Sequence, residues 1–306
     1  MEDFKYEKLT LGYCDADNTF TVISCDKDAI EVTIPDYVNN IPVIAIAENA
    51  FLGCDKLVSV TVPDNREVYY ELDALTLGFE ILDQAFAECK ALKTVNLTES
   101  VSHIGHGAFR DCPSLEEIYI PDCYVGPYAF YRCASLKTVN PIDIISEGVF
   151  GCCESLEVFP VKEGTDTISE DAFEHCYALT DIVIPASVRR IEPLAFRNCH
   201  GLKTVTFADP EDWYGSSRYT MKDCPIDVLD PTDNAQALKQ MDFDDGCGGW
   251  FKKSADEFED DDDTGADDDL AEFLERMKNG EFDNENITTD DLLEGLGIKP
   301  KKDKKD

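Results

Sequence analysis

Apolar residues recur along the chain at fixed spacings that predict a stack of similar short units. Each unit has a small residue before a phenylalanine, then cysteine three, leucine six and a further apolar residue nine positions after that phenylalanine. Seven copies occur, centred on Phe51, Phe86, Phe109, Phe130, Phe150, Phe173 and Phe196. Successive phenylalanines lie 35, 23, 21, 20, 23 and 23 residues apart. This period indicates a solenoid, because stacked units bury a core that no single unit could bury alone.

The spacing inside each unit predicts its local structure. Leucine followed by valine or isoleucine three and five positions later is typical of a short strand with alternate side chains buried. A second apolar pair, such as Val101 and Ile104, predicts another short extended piece. The Ala-Phe-x-x-Cys segment is expected to return the chain as a short helical turn. The predicted fold class is a β-rich repeat solenoid with a parallel sheet on one face, short helical turns and a disordered acidic C-terminal tail.

The segments outside the repeats predict caps, an insertion and a tail. Two alternating stretches within residues 4–25 predict a β-hairpin over the first unit. The longest spacing implies an insertion around Arg66–Phe79, which carries Tyr69 and Tyr70. Trp213, Tyr214, Met221 and Cys224 resemble a decayed eighth unit. The expected domains are a hairpin cap at 1–30, repeats at 31–207, a second cap at 208–240 and an acidic tail at 241–306.

The tail combines dense negative charge with a short apolar stripe. Residues 255–275 contain 12 acids and no base, a composition typical of disorder. Leu270, Phe273, Leu274 and Met277 follow Asp269 at helical spacing, and Leu292, Leu293 and Leu296 suggest a second short helix. Both helices are too short to be stable alone. Phe273 and Leu274 are therefore predicted to bind a groove on a partner, although a plain solubility tail is the alternative.

Charge limits the classes of partner. The chain has 64 acids and 27 bases, a net charge of −37. Residues 230–306 hold 25 acids and 10 bases, so the preceding residues also carry a net charge of −22. This charge repels nucleic acids and anionic membranes and favours a protein partner with a basic surface. No apolar run is long enough to span a bilayer, and a monomer is expected.

Three segments resemble the BspA-type leucine-rich repeats. Ile30–Cys54 is similar to the first segment of that family, and residues 184–207 are similar to its regular unit. The Trp213-Tyr214 pair with Asp230-Pro231 and Leu238 resembles an ending found on such arrays. The resemblance covers about residues 4–240. It implies a curved, right-handed solenoid that binds proteins or cell surfaces, in a family of which many members are exported.

The predicted strands place one set of side chains on an open face. Residues on either side of each buried valine or isoleucine should point away from the core. Threonine is common there because β-branched residues suit a sheet surface. The other polar and aromatic residues at these positions are less easily explained and form the predicted contact set: Asn96, Glu117, Tyr119, Asn140 and Asp181.

The candidate chemistry is sparse. The 13 cysteines fall mostly at one repeat position, which predicts buried, reduced thiols rather than disulfides or metal ligands. His103 and His106 form the one close histidine pair, and they are interpreted as loop residues. Neither His175 nor His200 has a serine or acid at a catalytic spacing. No catalytic residue, metal site or cofactor is predicted.

These patterns predict a non-enzymatic, protein-binding scaffold. The N-terminus, Met1–Tyr6, lacks a basic start followed by an apolar stretch, so no secretory signal is expected and a cytoplasmic location is predicted. The alternative function is a secreted or surface adhesin that takes part in host interaction.

Overall fold

The structure is a computed structural model that describes residues 3–64, 78–217, 223–225, 228–240 and 247–252. Most of the predicted insertion, with Tyr69 and Tyr70, lies outside the described residues. So do Met221 and the tail stripe with Phe273 and Leu274. Phe79, expected at the end of the insertion, instead begins a strand and is fully buried in the core.

Short strands dominate, and the described residues contain one α-helix. The elements in chain order are β1 Asp3–Tyr6, β2 Leu9–Cys14, β3 Thr19–Cys25, β4 Glu31–Thr33, β5 Tyr37–Val38, β6 Ile41–Ile46, β7 Ser59–Thr61, β8 Phe79–Ile81, β9 Thr94–Asn96, β10 Val101–Ile104, β11 Glu117–Ile118, β12 Tyr124–Val125, β13 Thr138–Val139, β14 Thr167–Ile168, β15 Asp181–Ile184, β16 Arg190–Ile191, β17 Thr204–Phe207, β18 Trp213–Ser217, β19 Asp223–Pro225, α1 Pro231–Gln240 and β20 Cys247–Lys252.

The predicted leucine-valine strands form a row of parallel strands, here called the front sheet, in which the Glu116 N–H donates to the Lys93 carbonyl at 3.5 Å between β9 and β11 in place of strand pairing. It consists of β4, β7, β9, β11, β13, β15 and β17. Between β13 and β15, Val158 alone carries the ladder through bridges to Thr138 and Asp181. The middle residue of each strand is buried and its neighbours point outward, as in Glu31-Val32-Thr33. The open side of this sheet is here called the front face.

The second apolar pair of each unit forms another parallel ladder, the rear sheet, made of β6, β8, β10, β12, β14 and β16. A bridge between Ile145 and Ile168 extends the part that contains β14 and β16 by one rung, and the Ser146 hydroxyl donates to the Val125 carbonyl of β12 at 2.5 Å. The predicted second extended piece is therefore present. Each unit, or rung, consequently contributes one strand to each sheet, or a single bridge in the fifth rung, and the apolar side chains meet between the two sheets.

The segment around each phenylalanine turns the chain from the rear sheet to the front sheet. It is a series of hydrogen-bonded turns and not the expected helical turn. In all seven rungs the residues two before and two after the phenylalanine have φ between 53° and 65°. A helix needs consecutive right-handed residues, so this alternation prevents one. The freed N–H groups donate to the next rung, for example from Phe51 to the carbonyl of Ala85 at 2.7 Å.

Phenylalanine and cysteine form two columns through the core. Neighbouring rung phenylalanines stack with ring centroids 4.6–5.9 Å apart, and every one of these rings is almost completely buried. From the second rung onward, each cysteine thiol donates to the phenylalanine carbonyl of the preceding rung, as from Cys112 to Phe86 at 3.1 Å. Burial raises the pKa of the Cys133 thiol to about 12. These cysteines are free thiols that satisfy carbonyl groups inside the turns.

Three strands cover the first rung. β2 and β3 form the predicted antiparallel hairpin, and β1 adds a further strand to β2. β3 then pairs in parallel with β6. The hairpin therefore extends the rear sheet, whereas β4 remains the terminal strand of the front sheet.

The last rung is covered by α1 and by a three-stranded antiparallel sheet. The side chain of Asn234 in α1 donates to the carbonyls of Val205 and Val228, and Lys239 donates to that of Leu202 at 2.9 Å. β20 pairs with β16 and β18, and Trp250 packs near Phe207 in the core. β20 lies beyond residue 240, the expected end of the cap. The folded unit continues to Lys252.

Candidate functional site

The front face carries four of the five predicted contact residues in one place. Asn96 in β9, Glu117 in β11, Tyr119 after β11 and Asn140 after β13 line a shallow depression of about 420 Å³. The depression spans three successive rungs in the middle of the array. Its lining residues belong to β9, β11 and β13 and to the positions directly after these strands.

These four residues differ in the hydrogen bonds that their side chains make. The Asn140 amide donates to the carbonyl of Ile120 and accepts from its N–H, both at 2.7 Å. Asn140 thus extends the ladder where Pro141 cannot donate, and this role accounts for its presence. Asn96 contacts the Thr61 hydroxyl at 3.3 Å. Glu117 is exposed on β11.

Tyr119 is the aromatic member of the group, and 53% of it is exposed. Its hydroxyl donates to Glu99 at 2.8 Å, and this bond raises the pKa of the phenol. The hydrogen bond fixes the ring in an exposed position, so little rotamer entropy would be lost on contact with a partner.

Asp181, the fifth predicted residue, lies outside the depression. It begins β15 and accepts a hydrogen bond from the Thr204 hydroxyl, which lowers the pKa of its carboxyl group. Beside it, Val158 and Val183 expose 56% and 59% of their surfaces. The sequence pattern put both valines on the front face but not in the contact set. The available signal was their apolar character at positions where other rungs carry Thr, Asn or Glu.

A second group of polar residues lies on the turns beside the front sheet. Glu174 is buried and is held by Arg197, whose Nε donates at 2.8 Å and whose Nη2 makes a further short contact. His175 Nδ1 lies 3.4 Å from the same carboxylate. Cys152 and Asn198 contact the His175 ring from the neighbouring rungs. Sequence reasoning missed this group because its members are one repeat apart. Comparison of equivalent positions in successive units would have found them.

Among the described residues, no group of three or more histidine, cysteine or acidic side chains is arranged to hold a metal ion. The described part of the chain also contains no helix with the length and apolar character needed to cross a membrane. His103 and His106, the close pair, face separate aromatic partners, since His103 stacks on Tyr124 and His106 meets the edge of Tyr128.

Asp171 is an ionisable residue whose charge is compensated only in part, by the nearby Arg197. One of its carboxylate oxygens is buried and, among the described groups, has no hydrogen-bond partner. Burial, followed by the nearby charge of Glu174, raises the Asp171 pKa from 3.8 to about 6. Because the folded state holds the proton more tightly, Asp171 reduces stability progressively as the pH rises from about 4 to about 6.

Asp171→Asn is therefore expected to raise the urea midpoint of unfolding at pH 7 and to leave it unchanged near pH 4. Asparagine also tolerates the left-handed backbone found at this position. The control is Asp111→Asn, at another left-handed position, where Arg110 and Arg132 pair with the carboxylate. That variant should show no gain at pH 7. An equal gain for Asp171→Asn at both pH values would contradict the proposed cause.

Several bacterial leucine-rich repeat structures resemble this chain. A Treponema (T. pallidum) leucine-rich repeat protein, TpLRR, shares 23% identity, covers 69% of this chain and 84% of its own, with a TM-score of 0.46. A protein from Bacteroides ovatus shares 22% identity over 68% of this chain and 72% of its own, with a TM-score of 0.44. One from Bacteroides capillosus shares 29% identity over 45% and 96%, with a TM-score of 0.37.

The assignment to a family rests on the repeats rather than on these superpositions. Among curated proteins, none matches the chain. The sequence profile of the BspA type leucine-rich repeat region matches in six copies, over residues 24–72, 78–177 and 124–245. These residues make up more than half of the chain and include both sheets. The chain therefore belongs to the BspA type leucine-rich repeat family.

Proposed function

We propose that this chain is a non-enzymatic scaffold that binds another protein through its front face. The observation that carries the proposal is the exposure of Tyr119, Val158 and Val183, each more than half exposed, on the same side of one sheet. Their backbones are linked rung to rung, because Val158 bridges to Asp181 and to Thr138. Apolar groups surrounded by polar ones are typical of the centre of a protein interface.

The framework beneath this face is rigid enough to act as a binding platform. Each exposed side chain is followed or preceded by a fully or almost fully buried one, such as Phe159 after Val158 and Ile182 before Val183. Phe159 also packs between the Phe150 and Phe173 rings at 5.1 and 4.8 Å. The contact residues are therefore preorganised, which reduces the entropic cost of association.

The charge of the chain specifies the partner further. A net charge of −37 steers basic protein surfaces toward the scaffold and repels nucleic acids, anionic lipids and other copies of the same chain. The proposed scaffold is thus a monomer in contact with a basic protein surface. Phe273 and Leu274 in the acidic tail would provide a second contact, in which the surrounding acids steer the partner and the apolar pair enters a groove.

A reducing compartment, and so a cytoplasmic location, is part of the proposal. It is supported by the core thiols that donate to phenylalanine carbonyls, a role that requires the protonated, unoxidised side chain. The adhesin alternative places the protein at the cell surface or outside the cell. Fractionation of the native host, with a thiol count in denaturant, distinguishes the two, and 13 free thiols in the soluble fraction support the cytoplasm.

The front face is tested with Val158→Asp combined with Val183→Asp in a tagged full-length chain. Both side chains are exposed, so the free energy of unfolding should change by no more than about 1 kcal/mol. Affinity for the native partner, captured from host lysate and identified by mass spectrometry, should fall by at least about thirtyfold, since central apolar contacts dominate interfaces.

The matched control is Ile144→Asp, which introduces the same charge at a 43% exposed apolar residue beside the rear sheet. A partner that binds this variant normally and loses the double variant supports the proposal. Equal binding by all three chains would place the contact elsewhere. The combination of Phe273→Ala with Leu274→Ala, examined in the same capture, separates a tail contact from a front-face contact.

A further inference from the structure

One position of the repeat carries metal-binding side chains in successive rungs. The residue two after the phenylalanine is Cys152 in the fifth rung, His175 in the sixth and Asn198 in the seventh. All three have left-handed backbones, with φ of 59°, 60° and 59°. The same backbone geometry in each rung brings these side chains together. Cys152 is only half-buried, unlike its neighbour Cys153 in the core.

The contacts between these residues are specific. Cys152 Sγ lies 3.9 Å from His175 Nδ1, and Asn198 Nδ2 lies 3.0 Å from His175 Nε2. Glu174, fixed by Arg197, is 3.4 Å from Nδ1. The edge of the His175 ring also packs against Tyr177. The imidazole is thus held in one orientation with the thiol beside one nitrogen.

A nucleophilic role does not fit this geometry. Burial raises the pKa of the Cys152 thiol, so little thiolate is present at neutral pH. Acyl transfer also needs backbone donors for a developing oxyanion. The N–H of Cys152 already donates to the carbonyl of Glu174 at 2.6 Å, and that of Cys153 donates to the carbonyl of Phe150 at 3.1 Å. A cation, in contrast, displaces the thiol proton when it binds.

We propose that Cys152 and His175 form a two-donor binding site for a thiophilic cation of the Zn²⁺ class. Bonds of about 2.3 Å to sulfur and about 2.0–2.1 Å to nitrogen can both be made from a point between atoms 3.9 Å apart. Cys152 and His175 also line a depression of about 520 Å³, which leaves room for water on the remaining coordination positions. Two protein ligands make an exchangeable site rather than a structural one.

The neighbouring residues determine the protonation of the site. Binding releases the Cys152 proton to solvent and uses the lone pair of His175 Nδ1. The other ring nitrogen must then carry its proton and donate it. A half-turn of the Asn198 amide places its oxygen against Nε2 without moving the ring, which is the usual role of a residue behind a metal-bound histidine. Glu154 and Asp111 in the same depression favour a cation, whereas Arg132 and Lys90 there oppose it.

Other thiols provide the comparison. From the second rung onward the core cysteines are buried and donate to carbonyl groups, and Cys54 in the first rung is buried and accepts from Lys27, so these thiols are inaccessible to the ion. Cys14 and Cys123 are half-buried like Cys152. Within the described residues, the recorded contact of Cys14 is with Asp17, and burial raises the Cys123 pKa to about 12. Neither pairs with a histidine in the described structure, which makes Cys123 the matched control.

The experiment is a Zn²⁺ titration of the reduced full-length chain against a chromophoric chelator, with proton release measured in weak buffer. The parent and Cys123→Ser should bind one Zn²⁺ with the same affinity at this site and release its thiol proton. Cys152→Ser and His175→Gln should each bind that ion at least about tenfold more weakly. Weak binding by the acidic tail is common to all four chains and cancels in the comparison.

Two results would overturn the site. Unchanged binding in Cys152→Ser would place the ion elsewhere, and a loss in Cys152→Ser but not in His175→Gln would reduce the site to a lone thiol. Thermal unfolding shows whether each variant is folded. If either variant is unfolded, the His175 ring resonances of the parent chain test the proposed site instead. Zn²⁺ should shift these resonances at one equivalent, and the absence of a shift rejects the proposal.

Discussion

Leu115→Ala is expected to lower the free energy of unfolding by about 2–5 kcal/mol. Leu115 is fully buried in the third rung, beneath the front sheet. The rungs above and below it are fixed by backbone hydrogen bonds, such as that from Phe109 N–H to the carbonyl of Ala129 at 2.8 Å. The cavity left by the shorter alanine side chain therefore cannot collapse easily. Urea unfolding followed by circular dichroism measures the change.

Thr138→Ala is the control on the exposed side of the neighbouring rung and should cost less than about 1 kcal/mol. Its side chain projects from the front face, so no cavity forms. Similar costs for the two variants would contradict the assignment of buried and exposed faces on which the binding proposal depends.

Removal of β20 is expected to lower the free energy of unfolding by an amount similar to that for Leu115→Ala. A chain that ends at residue 252 should unfold with the same midpoint as the full chain, because the folded unit ends there. A chain that ends at residue 240 loses Trp250, which is 8% exposed and contacts Phe207 in the core. Loss of a buried tryptophan alone costs about 3–5 kcal/mol.

The shorter chain also loses backbone pairing. β16 and β18 would each lose their bonds to β20, and the Lys252 ion pair with Asp209 would disappear. The last rungs should therefore fray, which amide hydrogen exchange can locate to residues 190–217. Identical unfolding of the two truncated chains would show that β20 does not belong to the folded unit.

Repetition made the core of this fold predictable from sequence. One leucine such as Leu115 is uninformative, but seven at one offset from phenylalanine reveal both the strand and its buried side. The same reasoning correctly put the core thiols inside and Tyr119 outside, because alternation along a strand has a period of two. The local role of a single residue was harder to predict from the sequence. Asn140 was predicted as a contact residue, and the sequence did not reveal that its amide also completes the ladder to Ile120.

Two other differences between the sequence predictions and the structure have physical causes. The turn around phenylalanine contains Tyr128, Arg132 and Leu194, residues that rarely have positive φ, so composition alone favoured a helical turn. Their conformation is imposed by hydrogen bonds between rungs, which are non-local. β20 was assigned to the tail because the second cap was expected to end at residue 240. Its stability comes from pairing with β16 and β18, far away in sequence.

The fixed turns also determine where this protein can change length. In all seven rungs, the residue five before the phenylalanine belongs to the rear sheet and the residue nine after it belongs to the front sheet. The segment that joins the two sheets therefore has the same length in every rung. The left-handed pairs and their bonds to the next rung lie inside that span, and an inserted residue would shift them out of step. The differences among the spacings, from 20 to 35 residues, fall entirely between the front sheet and the following rear strand. The solenoid thus has one edge that tolerates insertion, where new loops could be added during evolution or by design without disturbing the stacked rungs or the front face.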